Sequence, residues 1–376
     1  MQAPAGPMQG PEADVRYMHI ALALARRMLG ATAPNPAVGA VIVDEATGEV
    51  IARGWTEAGG RPHAETQAIA RAGERARGKT MYVTLEPCSH HGKTPPCAEA
   101  IVKAGLARVV VATDDPDGRV SGRGLARLVE AGIDVSLSVC AEEGRWVGLG
   151  HILRVQALRP LVTLKLAVSA DGRIAAGTGT PVWVTGEDAR ARAHLLRAHA
   201  DAILVGRRTV ADDDPQLDCR LPGLAGRSPR RYVLDSQFRS PATARIFTPN
   251  ASGPAVVLAA RDAVRPAHVA EDNVRRVAVV PDGRLNLRHA LRRLAEDGIT
   301  RLLVEGGPLT ARAFLDAGLV DEAVIFRGAQ ALGSAGLLPL ADRDLSELGN
   351  AAQWRVTDQR RLGADTVTTY RLRRHD

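Results

Sequence analysis

The chain has 376 residues, long enough for more than one hydrophobic core, with 45% hydrophobic and 24% charged residues, the balance of a water-exposed globular protein. A net charge of +7 is carried by Arg interleaved with Asp and Glu rather than by a basic arm, and aromatics make up only 3%. Single-strand nucleic-acid binding through stacked bases is therefore poorly supported, and no uninterrupted apolar run is long enough to span a bilayer.

Residues 1–12, rich in Pro, Gly and Gln, read as a disordered N-terminus without the basic start and apolar run of a secretory signal. Four cysteines give no disulfide framework, so a reducing, cytoplasmic location is expected. From there the pattern alternates. Helices are predicted at 15–29, 63–77, 98–104 and 125–131, with strands at 38–43, 80–85 and 108–113. Residues 13–145 thus form a first α/β domain, and the pattern relaxes into a linker at 146–160. A second α/β series fills 161–376. Its strands are predicted at 161–168, 202–205, 231–234, 256–259, 274–280 and 302–305, and its helices at 187–199, 287–296 and 309–315.

The first domain holds the most informative residues. His63 and Glu65 open a helical pattern, and Pro87-Cys88 and Cys97 follow. One imidazole and two thiolates suit tetrahedral Zn²⁺ with a fourth position open, while a nearby carboxylate can shuttle protons without binding the metal. His-x-Glu followed by Pro-Cys and a second Cys is the signature of zinc deaminases. Here eight residues, Ser89 to Pro96, separate the two Cys in place of two. His63, Cys88 and Cys97 are read as ligands, Glu65 as the general acid–base, and Cys140 and Cys219 as packing residues. His90 and His91 are read as loop residues or substrate contacts in preference to alternative metal ligands.

With that spacing, the stretch Glu86-Pro-Cys-Ser-His-His-Gly-Lys-Thr-Pro-Pro-Cys97 resembles the bifunctional deaminase–reductase family of riboflavin biosynthesis. In the second half, Lys165-Leu-Ala-Val-Ser-Ala-Asp171-Gly172, Trp183-Val-Thr185, Asp213-Asp-Pro-Gln-Leu217 and Val304-Glu-Gly-Gly-Pro308 carry the same resemblance. It implies a cytidine-deaminase-like α/β/α domain followed by a dihydrofolate-reductase-like α/β domain. It also implies Zn²⁺ and NADPH as cofactors, and a phosphorylated pyrimidine as substrate. Asn35, Lys93 and Asp115 would then contact that substrate in the first domain. Lys165, Arg197, Leu217, Arg220 and Glu305 would do so in the second, the two arginines clamping its phosphate. Ala167, Trp183, Thr209, Asp213, Ser236 and Gly307 would line the dinucleotide, and Ser236 with Arg239 would meet its 2′-phosphate.

The implied chemistry is hydrolysis of the 2-amino group of 2,5-diamino-6-ribosylamino-4(3H)-pyrimidinone 5′-phosphate. Reduction of the ribosyl group to ribityl follows, giving 5-amino-6-(5-phosphoribitylamino)uracil. This chain departs from the family at Asp117 (commonly Asn), Pro181 (commonly Ser) and Asp218 (commonly Thr). The rival reading is a nucleic-acid-editing zinc deaminase with a C-terminal binding domain, to which the basic charge lends support. No G-x-G-x-x-G follows a strand, so a Rossmann fold is not expected. No nucleic-acid or membrane partner is expected, and homo-oligomer formation stays open.

Overall fold

The computed structural model describes residues 10–91, 95–118, 120–174 and 183–373. The chain divides into two compact units, Met1–Ala157 and Leu158–Asp376. The expected disordered segment and the Pro181 and Lys93 assignments fall wholly or mostly outside the described residues.

In the first unit, helix α1 (Pro11–Arg27) leads into the hairpin of β1 (Gly39–Asp44) and β2 (Glu49–Trp55). Then come α2 (Ala64–Ala72), β3 (Thr80–Val83), α3 (Cys97–Ala104), β4 (Arg108–Val111), α4 (Arg123–Glu130), β5 (Asp134–Ser136) and α5 (Ala141–Ala157). The sheet order is β2-β1-β3-β4-β5, with the β1 pairings antiparallel and β3-β4-β5 parallel. Strand side chains alternate between faces. Ala40, Ile42, Met81 and Val83 pack with Ala64, Ala68, Ile101 and Leu128 of α2, α3 and α4. Val41, Val43, Tyr82 and Val110 pack with Met18, Leu22 and Val147 of α1 and α5. Strands covered on both sides need apolar residues at every position, which is why 38–43 reads as one unbroken run.

Two expectations are corrected here. Helix α1 begins at Pro11, inside the segment expected to be disordered and before the predicted start at 15. Pro at the first position and Glu12 and Asp14 in the first turn suit a helix N-terminus. The predicted linker 146–160 is mostly helix α5, burying Val147, Leu149, Ile152 and Leu153. Its first glycine marks a close contact rather than flexibility. A Cβ at Gly144 would lie 2.6 Å from the Ala112 side chain, so only glycine lets the helix sit this close to the sheet.

The second unit contains β6 (Leu161–Val168), α6 (Glu187–Ala198), β7 (Ala202–Gly206), α7 (Arg207–Asp213), β8 (Arg230–Leu234), β9 (Val256–Ala260) and β10 (Val274–Val277). It continues with α8 (Leu287–Glu296), β11 (Arg301–Val304), α9 (Pro308–Asp316), β12 (Glu322–Arg327), β13 (Trp354–Leu362) and β14 (Asp365–Leu372). These strands make a nine-stranded sheet in the order β10-β9-β8-β7-β11-β6-β12-β14-β13. It is parallel from β10 to β12, and the β13–β14 hairpin adds antiparallel to β12. Strand β10 stops at Val277, short of the predicted 280, because the chain turns at Gly283 and pairs Val279 with Leu285 in an isolated bridge. Among the described residues, no helix is long and apolar enough to cross a membrane.

Candidate active sites

Helix α2 presents the first constellation. His63 is its N-cap residue and Glu65 lies in its first turn. The start of α2 rests on β2, where a Cβ at Gly54 would lie 2.1 Å from the Ala64 carbonyl oxygen, so glycine sets the depth of this turn. Cys97 is the first residue of α3, and its backbone N–H donates to Cys88 Sγ at 3.3 Å. His63 Nδ1 stands 3.7 Å from Cys88 Sγ and 3.3 Å from Cys97 Sγ, and the three donor atoms all lie within 4.8 Å of one another. The predicted ligand set therefore converges despite the long spacing between its cysteines.

The electrostatics suit a cation. A hydrogen bond from Cys97 draws the Cys88 thiol down to about 4, so Cys88 is a thiolate, and the same contact pushes Cys97 up. The hydrogen bond to Cys88 raises His63, an imidazole pulled toward the charged form by an anionic sulfur. A divalent cation would take the place of these protons. Glu65 is 3% exposed, burial raises its carboxyl, and its Oε2 is buried without a hydrogen-bond partner. An orphaned carboxylate oxygen beside three metal donors is poised to hold a proton. Metal content should fall strongly in Cys97→Ala, since loss of one of three protein ligands leaves a weak pair; full occupancy by elemental analysis would remove Cys97 from the set.

An open cleft adjoins these donors, and Asn35, Arg61, His63, Glu65, Cys88 and Asp115 are among its lining. Asn35 Nδ2 donates to the Gly60 carbonyl at 2.8 Å, leaving its side-chain oxygen as an acceptor. Asp115 is buried and its Oδ1 accepts the Asp117 backbone N–H at 2.9 Å. Asp117, where the family commonly has Asn, also faces the cleft.

Sequence reasoning missed two contributors. Glu86, 3% exposed, accepts the backbone N–H groups of Gly122 and Gly124, each at 3.1 Å, and so ties the loop after β4 to the cleft wall. His151 comes from α5, the helix read as a linker, and reaches Asp115. Glu86 stands in the quoted motif beside Pro87, which could have flagged it; His151 gave no signal.

In the second unit Ala167, Thr209, Ser236 and Gly307, of the six predicted dinucleotide residues, lie at or just after the carboxyl ends of neighbouring parallel strands, where open α/β sheets bind ligands. Ala167 lies in β6, Thr209 and Asp213 in α7 after β7, Ser236 after β8, and Gly307 after β11 as the N-cap of α9. Gly307 N–H donates to Thr209 Oγ1 at 3.0 Å, joining the two strand–helix turns. Trp183 is 69% exposed and its ring lies 5.1 Å from the Arg190 guanidinium carbon. Ser236 has its carbonyl bonded to Ala260 N–H, while Arg239 and Ser240 donate backbone N–H groups to Asp235.

Glu305 organises the predicted substrate residues. Arg197 donates to it twice, Nε to Oε1 at 2.8 Å and Nη2 to Oε2 at 2.9 Å, and Lys165 Nζ lies 3.9 Å away. Burial works to raise the Glu305 carboxyl, but the Arg197 and Lys165 charges prevail and hold it at about 2. Burial lowers the Lys165 ammonium. Arg197, read as a phosphate clamp, is thus engaged by a carboxylate and also donates to the Asp218 carbonyl at 3.0 Å. Arg220 is half exposed and donates to Asp218 Oδ1 at 2.7 Å, so Asp218 orients the guanidinium. Leu217 is buried with φ of 57°, at the bend that carries this loop.

Comparison with known proteins agrees with both halves. The cytidine and deoxycytidylate deaminase zinc-binding region matches residues 11–113, and the RibD C-terminal domain matches residues 160–368. The riboflavin biosynthesis protein RibD of Aquifex aeolicus is 39% identical over 360 residues, covering 96% of this chain and 99% of its own. That of Escherichia coli is 40% identical over 367 residues, covering 94% and 97%. A solved Acinetobacter baumannii RibD superposes with a TM-score of 0.83 at 34% identity, covering 96% of this chain and 99% of the other. The diaminohydroxyphosphoribosylaminopyrimidine deaminase/5-amino-6-(5-phosphoribosylamino)uracil reductase of Thermotoga maritima gives 0.81 at 34% identity with the same coverage.

Proposed function

Because the chain belongs to the bifunctional deaminase–reductase family of riboflavin biosynthesis, a zinc hydrolase and an NADPH-dependent oxidoreductase in one polypeptide, we propose that its two sites act in turn on one phosphorylated pyrimidine. The first removes the 2-amino group of 2,5-diamino-6-ribosylamino-4(3H)-pyrimidinone 5′-phosphate, and the second reduces the ribosyl chain to ribityl. The observation that carries this reading is the convergence of His63, Cys88 and Cys97 beside the orphaned Glu65 oxygen, in a chain matched over nearly its whole length.

His63, Cys88 and Cys97 would hold Zn²⁺, whose Lewis acidity makes water a nucleophile near neutral pH. Glu65 passes one proton of the attacking water to the ring nitrogen, then carries the second, from the hydroxyl left on the ring carbon, to the amine, which departs as ammonia. Its burial serves this role, because a carboxyl with raised proton affinity keeps the proton between the two transfers. Asn35 and Asp115 fix the ring edge, the amide offering both polarities and the carboxylate only acceptors. Within the reductase unit, Thr209 and Gly307 would hold the dinucleotide at the start of α9, where a helix N-terminus favours phosphate. When bound there, NADPH would supply hydride for the sugar carbon. Lys165, half-buried beside Glu305, is placed to steady the oxygen on that carbon and to donate the proton it needs as the hydride arrives. Arg220, turned by Asp218, meets the substrate phosphate from the surface.

The location we propose is the cytoplasm, in keeping with four free cysteines. We favour a small-molecule substrate over nucleic acid because the second unit, the basis of the rival reading, matches a reductase domain. Incubation with the phosphorylated diaminopyrimidine should release ammonia without cofactor and give the ribityl product only when NADPH is added, with NADH a poor substitute. Ammonia release that requires an oligonucleotide substrate would refute this reading, and equal use of NADH would refute the cofactor assignment.

A further inference from the structure

His151 reaches the deaminase cleft from α5, and its imidazole is 11% exposed. Its Nε2 lies 3.2 Å from Asp115 Oδ1. A carboxylate only accepts, so Nε2 carries the proton and donates. Nδ1 is then buried without a hydrogen-bond partner among the described residues. A histidine kept only to fill space would be costly here, since an apolar ring fills the same volume without stranding a polar atom. What the imidazole gains for the protein is its hold on Asp115.

That hold has a geometric consequence. Asp115 Oδ1 accepts from both His151 and the Asp117 backbone N–H, and no described residue donates to Oδ2. The terminal torsion of an aspartate is broad and roughly two-fold, so a single donor leaves the carboxylate free to swivel. Two donors on one oxygen fix its plane and leave the other oxygen to the cleft. We infer that His151 is a positioning residue of the deaminase, locking Asp115 so that Oδ2 accepts a hydrogen bond from an N–H of the aminopyrimidine. This rests on the deaminase reading above.

The test uses the full-length, zinc-loaded chain and the phosphorylated diaminopyrimidine. His151→Phe keeps a ring but removes the donor, whereas His151→Gln places an amide N–H close to the position of Nε2. In His151→Phe the deamination KM should rise about tenfold with kcat changed by less than about threefold, the scale of one charge-assisted hydrogen bond. His151→Gln should recover most of that loss. Zinc content and NADPH-dependent reduction of the deaminated substrate should stay at wild-type levels in both, which excludes misfolding as the cause. In an Asp115→Asn background, His151→Phe should add less than about a twofold further rise. A wild-type KM in His151→Phe, or equal impairment of the Phe and Gln variants, would overturn the inference while leaving the deaminase reading standing. A wild-type protein that releases no ammonia from this pyrimidine would overturn both.

Discussion

Glu65→Gln should retain full zinc yet lose deamination by roughly 10²–10⁴-fold, the usual contribution of a positioned acid–base group. Glutamine matches the carboxylate in shape, so the buried first turn of α2 keeps its packing. The His63, Cys88 and Cys97 donors are untouched, which is why metal content should not follow activity down. What disappears is the oxygen that can bind and release a proton: Oε2, buried and without a partner, becomes an amide nitrogen or a carbonyl. Reduction of already deaminated substrate should proceed at the wild-type rate, since Glu65 belongs to the other compact unit. Parallel measurement of zinc, ammonia and reductase product separates the possibilities. Zinc lost along with activity would make Glu65 a structural support of the metal, and near-normal ammonia release would remove it from the chemistry.

What the sequence disclosed tracks how locally each feature is specified. Residues 161–168 were readable to the boundary because β6, apolar at every position but Thr163 and Lys165, carries the signature of a strand covered on both faces. Helix α5 was hidden by Gly144, Gly148 and Gly150, each costing a helix about 1 kcal/mol against alanine. Packing against the sheet outweighs that penalty, and packing is not a local property. Strand β2 was obscured by Ala52, Arg53 and Gly54, small or polar because α2 presses on one face of an edge strand. Strands β13 and β14, rich in Arg and Thr, lacked apolar alternation because their side chains are mostly half-exposed; cross-strand hydrogen bonds hold them instead. The metal donors were legible since only a few residue types can serve and their order is distinctive. By contrast, the Arg197–Glu305 pairing joins residues 108 apart, and nothing in either neighbourhood announces it.

Glu305→Gln is expected to be the most destabilising of the substitutions considered, by about 3–5 kcal/mol, because removing one partner of a buried ion pair strands the other. The Glu305 side chain is 8% exposed and that of Arg197 14%, so water cannot take over the lost contacts. Lys165, 3.9 Å away, would lose the same counter-charge. The pKa of Glu305 gives a second measure of this energy. Its carboxyl is held at about 2 against an ordinary 4.5, burial opposing the shift and Arg197 and Lys165 driving it. A depressed carboxyl stabilises the fold above its unfolded pKa, on the order of 3 kcal/mol here, and that stability drains away as pH falls through the folded value. Urea unfolding of the reductase unit at pH 7 should therefore show the full deficit in Glu305→Gln. The gap to the wild type should narrow as pH is lowered from 4.5 toward 2, where the native carboxylate is itself protonated. The double variant Arg197→Met, Glu305→Gln should recover part of the loss, since it no longer buries an unmatched guanidinium. Deamination, housed in the other unit, should be unaffected below the unfolding transition. A deficit under about 1 kcal/mol at pH 7, or one that stays constant down to pH 2, would show that the pair is solvated and that Glu305 serves the substrate alone.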